Sequence, residues 1–330
     1  MTCRDCTQNR DPRPARVTIF EMSKKLAGAA VGALVLAGVA AIALHDTHPI
    51  TFLRLAWTRD HHCSVRDSWN VIEGFSDLWD RIYEISDGMK FPQADPAGFE
   101  LAVVGEQKFW MPRGNRLNLA EVLGEQEEDV YSLPGKGVRK GDTVLDCGAN
   151  VGAYTRHALD AGAARVVSIE IAPENLECLR RTFAPEIQAG RVIVYPKGVW
   201  DHDDTLVLKR VSGQSGSDSV AMHVPGASEG PTVLLTTIDN LVAELHLDRV
   251  DYIKMDIEGA EKNALTGAKE TVARFKPRMA VSLEHLPDDP EAIPALIERL
   301  WPGTKTECGP CVWVKTAHVN RAQPDVLFVN

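Results

Sequence analysis

Residues 141–330 predict a doubly wound α/β domain with a mostly parallel sheet, on three observations. Short β-branched apolar runs alternate with amphipathic stretches, as strands and crossover helices do. The runs are apolar almost throughout, which suits strands covered on both faces. Glycines and carboxylates stand at their carboxyl ends, the edge at which such sheets bind ligands.

In order, "TVLDC" (143–147) is a strand leading to a helix from Gly152, and "RVVSIE" (165–170) leads to a helix from Pro173. The third strand is "RVIVYPKGVW" (191–200). "DYIKMD" (251–256) precedes a helix from Glu258, and "RMAVSLE" (278–284) precedes one over Pro290 to Leu300. "VWVKTAHV" and "PDVLFVN" close the domain as a pair. Between the third strand and "DYIKMD" the polar stretch 201–230 carries glycines and serines that suggest a hairpin and a mobile loop over the cleft. Upstream, "FELAVVGEQKFWMP" (99–112) reads as a hairpin and "LNLAEVLGEQEEDVYSL" (117–133) as a helix, both covering one edge of the sheet. Residues 45–98 read as a tether and small helical layer.

At the front, "LAGAAVGALVLAGVAAIAL" (Leu26 to Leu44) is an uncharged apolar run that as a helix extends about 28 Å, enough to cross a bilayer. It is read as an N-terminal transmembrane helix, or signal anchor, after a basic tail of residues 1–25. Gly28 and Gly32 form a G-x-x-x-G pair through which two such helices could approach as a homodimer. A chain begun at Met22 would instead resemble a cleaved signal peptide ending at "AIA". Basic residues precede the run (Arg10, Arg13, Arg16, Lys24, Lys25) and thin out after it (Arg54, Arg59), which sets the N-terminus in the cytoplasm and the domain outside it.

The 330 residues carry a net charge of -10, so no basic stripe is available to coat nucleic acid. Seven cysteines are too scattered for a disulfide scaffold. "CGPC" (Cys308 to Cys311) is followed by a strand rather than the helix a redox pair needs, and is read as a turn or incidental disulfide. "CRDC" (Cys3 to Cys6) precedes the apolar run, and neither pair is assigned a metal.

"VLDCGANVGAYT" (Val144 to Thr155) runs a strand into a helix through a turn eased by Gly148, with Gly152 allowing helix and strand to approach. The spacing is not G-x-G-x-x-G, which argues against a pyrophosphate cradle and a nicotinamide dehydrogenase. Asp146 in front of the turn would repel a pyrophosphate but accepts a cationic ligand, and Glu170 ends the next strand where acids bind ribose hydroxyls. S-adenosylmethionine, a nucleoside with a positive centre, fits both. Helix capping by Asp146 and dipole placement of Glu170 are the structural alternatives.

With "VVSIE", "TTIDNL", "EQEEDVY" and above all "YIKMDIEGAE", that segment is similar to the motifs of FkbM-type S-adenosylmethionine-dependent methyltransferases, over roughly Phe99 to Asn330. The resemblance implies the Rossmann-like, seven-stranded class I methyltransferase fold and O-methylation of a sugar, glycan or secondary-metabolite hydroxyl. It departs from the family at Cys147 and Met255, where aliphatic residues are usual. The positions expected to hold the cofactor are Asp146, Gly148, Asn150, Gly152, Glu170 and Ile171, with Asp256.

Strand alternation puts Lys254 and Asp256 on one face and Ile253 and Met255 on the other. A hydroxyl must lose its proton during methyl transfer, and Asp256, Lys254 with a pKa lowered by burial, Glu284 and His285 are the candidate bases. His285 has the best intrinsic pKa. Glu258 and Glu261 are placed in the first turn of a helix, with Glu258 paired to Lys262 on its surface. A divalent ion bridging Asp256, Glu284 and a sugar diol is the lesser alternative, because "LEH" stands where an aspartate-asparagine pair is usual, and no metal is assigned. Asp239 and Asn240 are read as caps. The rival reading of the whole is a membrane-anchored nucleoside-binding or scaffold protein without turnover.

Overall fold

The protein is described by a computed structural model covering residues 48–210, 219, 221, 228–315 and 319–330. The apolar run at 26–44, the tail before it, "CRDC" and most of the polar stretch 211–227 lie outside the described residues. Among the described residues, no helix is long and apolar enough to cross a membrane.

A seven-stranded sheet organises the molecule. It comprises β4 (Thr143–Cys147), β5 (Arg165–Ile169), β6 (Val192–Tyr195), β10 (Tyr252–Met255), β11 (Arg278–Ser282), β12 (Thr306–Cys308) and β15 (Val326–Val329), in the order β12-β15-β11-β10-β4-β5-β6. β15 runs antiparallel to both of its neighbours, β11 and β12, while β6, β5, β4, β10 and β11 are parallel. The order reverses between β4 and β10, the switch point at which adjacent crossovers leave opposite faces and open a crevice.

The two faces follow from strand alternation. Leu145, Ile253, Met255, Val281 and Leu327 join one core cluster with the helices α7 (Ile238–Glu244), α8 (Glu261–Thr266), α9 (Lys269–Phe275) and α10 (Asp289–Leu300). Val144, Val166, Tyr252 and Phe328 face the other way against Leu159 and Leu179 of α4 (Ala153–Asp160) and α5 (Pro173–Thr182).

The N-terminal layer consists of α1 (His48–Thr58) and α2 (Val65–Gly88). Ser64 accepts the Asp67 N–H and the Asp67 carboxylate accepts that of Ser64, a reciprocal cap that fixes where α2 starts. The expected hairpin is β2 (Phe99–Val104) with β3 (Gln107–Pro112), and β1 (Lys90–Ala94) adds a third strand. α3 (Arg116–Glu127) then packs against α2, burying Ile82, Ile85, Leu119 and Leu123.

Three sequence expectations change. The closing pair is not a pair: β13 (Cys311–Lys315) joins β14 (Asn320–Pro324) in a separate ribbon, while β12 takes the sheet edge beside β15. A disulfide from Cys311 to Cys63, 248 residues earlier, ties this ribbon to the α1–α2 layer, and Cys308 is a buried free thiol. "CGPC" therefore forms no bridge within itself. Finally, Asp239 caps a neighbour rather than its own helix: Thr237 caps α7, and Asp239 accepts the N–H groups of Glu270 and Thr271 at the start of α9.

Candidate active site

A cavity of about 1140 Å³ opens at the carboxyl ends of β4, β5, β10 and β11, roofed by α2, α3 and β13. Its floor is the turn after β4. Gly148 has φ +82°, and a Cβ there would lie 1.8 Å from the Asp256 carbonyl oxygen, so only glycine fits where β4 and β10 finish side by side. Asn150 also takes a left-handed conformation (φ +50°) and donates its N–H to Glu170 Oε2 at 2.8 Å.

Glu170, nine-tenths buried, lines the cavity and accepts the N–H groups of Ile171 and Ala172 through Oε1. Burial lifts its pKa to about 7 against those hydrogen bonds. Oε1 thus accepts two N–H groups and Oε2 one, and the carboxylate stands at the strand end where ribose hydroxyls bind. Gly148, Asn150 and Ile171 line the same space, and Asn150 Oδ1 is buried without a hydrogen-bond partner among the described residues. This wall fits a nucleoside.

Two residues expected at the cofactor lie elsewhere. Gly152 is a packing glycine: with φ +99°, an added Cβ would come within 2.2 Å of the Phe183 ring. Asp146 lies fully buried beneath the cavity floor, accepting from Thr155 Oγ1 at 2.6 Å, and the cation it faces is Lys254 Nζ at 3.8 Å. Parallel register sets Lys254 opposite Asp146, which is why a strand-borne cation meets the acid.

Lys254 is the hub of the floor. Its ammonium donates to the Gly148 carbonyl at 3.1 Å, lies 3.5 Å from Asp256 Oδ2, and sits between the rings of Tyr131 and Tyr154, 5.1 and 5.9 Å from their centroids. Burial alone would lower its pKa, but Asp256 and Asp146 outweigh it and hold it above the usual lysine value. The condition for Lys254 to act as a base therefore fails. Tyr131 donates to Asp256 Oδ2 at 2.9 Å. Against burial, Lys254, His285 and this hydrogen bond keep Asp256 below its ordinary pKa.

The segment after β10 differs from a helix start. α8 begins at Glu261, and Glu258 occupies a turn with φ +55° ahead of Gly259 at φ +92°. The turn swings Glu258 into the cavity, 3.7 Å from His285 Nε2, while Lys262 pairs with Asp288 and Asp289. Glu261 is fully buried, accepts the Ile257 N–H at 2.9 Å and pairs with His285 Nδ1 at 2.9 Å. Burial would depress the His285 pKa, but Glu261, Glu258 and Asp256 raise it well above that of free imidazole, which favours the imidazolium. Asp256, Glu258 and His285 present atoms within 4.8 Å of one another, spacing compatible with a metal ion, and the imidazolium already supplies positive charge there.

Burial raises Glu284 to about 7 and Glu258 to about 8. Glu284 is thus the candidate whose proton is exchanged near neutrality. Sequence reasoning gave no role to Tyr131, Glu121, Glu125 or Asp325, all of which line the cavity. Only the "EQEEDVY" resemblance touched this wall.

A family model described as the methyltransferase FkbM domain matches residues 146–309. The AMB antimetabolite synthetase AmbE of Pseudomonas aeruginosa is 27% identical over an alignment of 203 residues, covering 48% of this chain and 9% of that protein. The chain thus spans under a tenth of that relative's length. Among solved structures, the FkbM methyltransferase of Methylobacillus flagellatus KT shares 18% identity at a TM-score of 0.43, over 78% of this chain and 60% of that one. M. jannaschii TYW2, determined in complex with AdoMet, shares 12% at a TM-score of 0.37, over 72% and 85%. Residues 146–309 are a domain of the methyltransferase FkbM family.

Proposed function

We propose that this protein is an S-adenosylmethionine-dependent methyltransferase that methylates a hydroxyl of a sugar, glycan or secondary metabolite. The observation that carries the reading is the wall of Gly148, Asn150, Glu170 and Ile171 meeting the charged floor of Lys254 and Asp256 in one cavity. Glu170 would hold the ribose hydroxyls, and Gly148 and Asn150 the turn beside them. When bound, the cofactor supplies a methyl carbon on a sulfonium, displaced onto an incoming lone pair to leave a thioether.

The chain's own contribution is positioning and proton handling. Asp256, fixed as a carboxylate by Lys254, His285 and Tyr131, presents a stable negative charge at the cavity floor. Such a group orients a hydroxyl by accepting the hydrogen bond that the hydroxyl donates; it is a poor proton acceptor because its own pKa is low. Glu284, with a pKa near 7, takes the hydroxyl proton as the new C–O bond forms. The roof of α2, α3 and β13 limits water around the reacting pair.

Titration calorimetry of the full-length chain should show S-adenosylmethionine binding, weakened about tenfold or more by Glu170→Ala through loss of its charged hydrogen bonds. A folded sample that binds no cofactor overturns the reading. Binding without release of S-adenosylhomocysteine toward any hydroxyl acceptor would favour the scaffold alternative.

A further inference from the structure

We propose that the acceptor is a cationic polyhydroxylated molecule, an amino sugar or aminocyclitol bearing more than one ammonium group. The proposal rests on the methyltransferase reading and names the substrate class of the same site.

Ten residues lining the cavity are Asp or Glu and three are Lys or His, and burial raises several of these acids for want of a cation beside them. Lys254 is held by Asp146 and Asp256, and His285 by Glu261, Asp256 and Glu258. Lys315 is exposed over the Trp313 ring. Glu121 and Glu125 on α3 and Asp325 ahead of β15 are left over: no cation among the described residues lies within ion-pair distance of any of them. Asp325 is the sharpest case. It is 7% exposed, Oδ1 accepts the Val326 N–H at 2.7 Å, and Oδ2 has no partner among the described residues. Burial, with Glu284 nearby, raises its pKa to about 8, so it keeps its proton near neutrality until a cation arrives to hold it ionised.

The cofactor does not account for these acids. In the sheet order, Asp325 stands at β15, two strands beyond β10, whereas Gly148 and Glu170 follow β4 and β5 on its other side. Nor does a single metal ion. Beside the cavity, the residues whose ligand atoms converge are Asp256, Glu258 and His285, while Glu121, Glu125 and Asp325 belong to no such group. Acids spread along a wall suit charges spread along a ligand. The same roof brings aromatic faces, with Phe75 and Trp313 at 5.0 Å and Phe75 and Trp79 at 6.1 Å between centroids. Ring faces beside carboxylates are the surroundings an ammonium prefers, and they also stack on sugar rings.

The test is calorimetry on the full-length chain with S-adenosylhomocysteine present, using 2-deoxystreptamine, myo-inositol, glucuronate and magnesium chloride as probes. The diamine should bind about tenfold more tightly than the neutral polyol, and glucuronate should not bind. Asp325→Asn and, on the half-buried α3 wall, Glu125→Gln should each weaken the diamine about tenfold, with S-adenosylmethionine affinity within about twofold of the parent. Equal binding of diamine and polyol, insensitivity to both variants, or binding of magnesium alone with the same dependence on Glu125 and Asp325 overturns the proposal. Diamine binding without cofactor binding would sink the methyltransferase reading and leave the cation site standing; cofactor binding without diamine binding does the reverse.

Discussion

The carboxylates at the strand ends have different tasks because their neighbours differ. Asp256 faces Lys254, His285 and the Tyr131 hydroxyl and stays ionised; Glu284 lacks a comparable set and holds its proton to about 7. Turnover should therefore rise with pH through about 7, and Glu284→Gln should lower it strongly and flatten that limb. The stability effect has the opposite sign. A carboxylate whose folded pKa lies above its unfolded value contributes stability that is present below the unfolded pKa and lost as pH rises through the folded one. The melting temperature of the parent should thus fall between pH 5 and 8 while turnover climbs, and Glu284→Gln should reduce that fall. A rate profile unchanged in Glu284→Gln would remove Glu284 as the base. The strand residues Lys254 and Asp256 were legible from alternation alone. Glu258 was not, because its placement depends on two successive positive φ values that delay the helix to Glu261.

At the scale of elements, the turn after β4 is the tightest joint. Gly148 combines φ +82° with a 1.8 Å approach to the Asp256 carbonyl, so Gly148→Ala strains the turn and pushes β10 away from β4. The backbone strain alone is about 1–3 kcal/mol. Urea unfolding should show a lower midpoint with an unchanged slope, together with cofactor affinity reduced at least as much as by Glu170→Ala. A variant with parent-like stability and affinity would show that β4 and β10 can part here without cost. The glycine itself was readable in "VLDCGANVGAYT"; the partner it makes room for was not, because Asp256 is 108 residues away in sequence and meets it only through sheet register.

Across the whole molecule, the Cys63–Cys311 bridge joins the N-terminal helical layer to the ribbon that roofs the cavity. A bridge of this kind stabilises by about 2–4 kcal/mol, mainly by restricting the unfolded chain. Cys63→Ser should lower the unfolding midpoint accordingly and expose one new thiol, Cys311, to alkylation. We also propose that residues 26–44 anchor the chain with this domain outside the cytosol; the basic bias before the run and a disulfide suited to an oxidising compartment support that side. In that setting Cys63 and Cys311 resist alkylation until a reductant is added. Alkylation of Cys63 or Cys311 in the native membrane without reductant would refute the bridge and remove its support for that orientation.

The sequence by itself determined the doubly wound sheet, its ligand-binding edge and the family, because these rest on short-range signals: apolar runs, glycines in turns and acids at strand ends. Only the tertiary structure decided which charges share a cavity. Asp146 found its cation in the neighbouring strand, Glu258 turned inward, and Glu121, Glu125 and Asp325 came to face one space from α3 and the far side of the sheet. Sheet register and helix packing set those meetings, and they act between residues that local sequence patterns cannot connect.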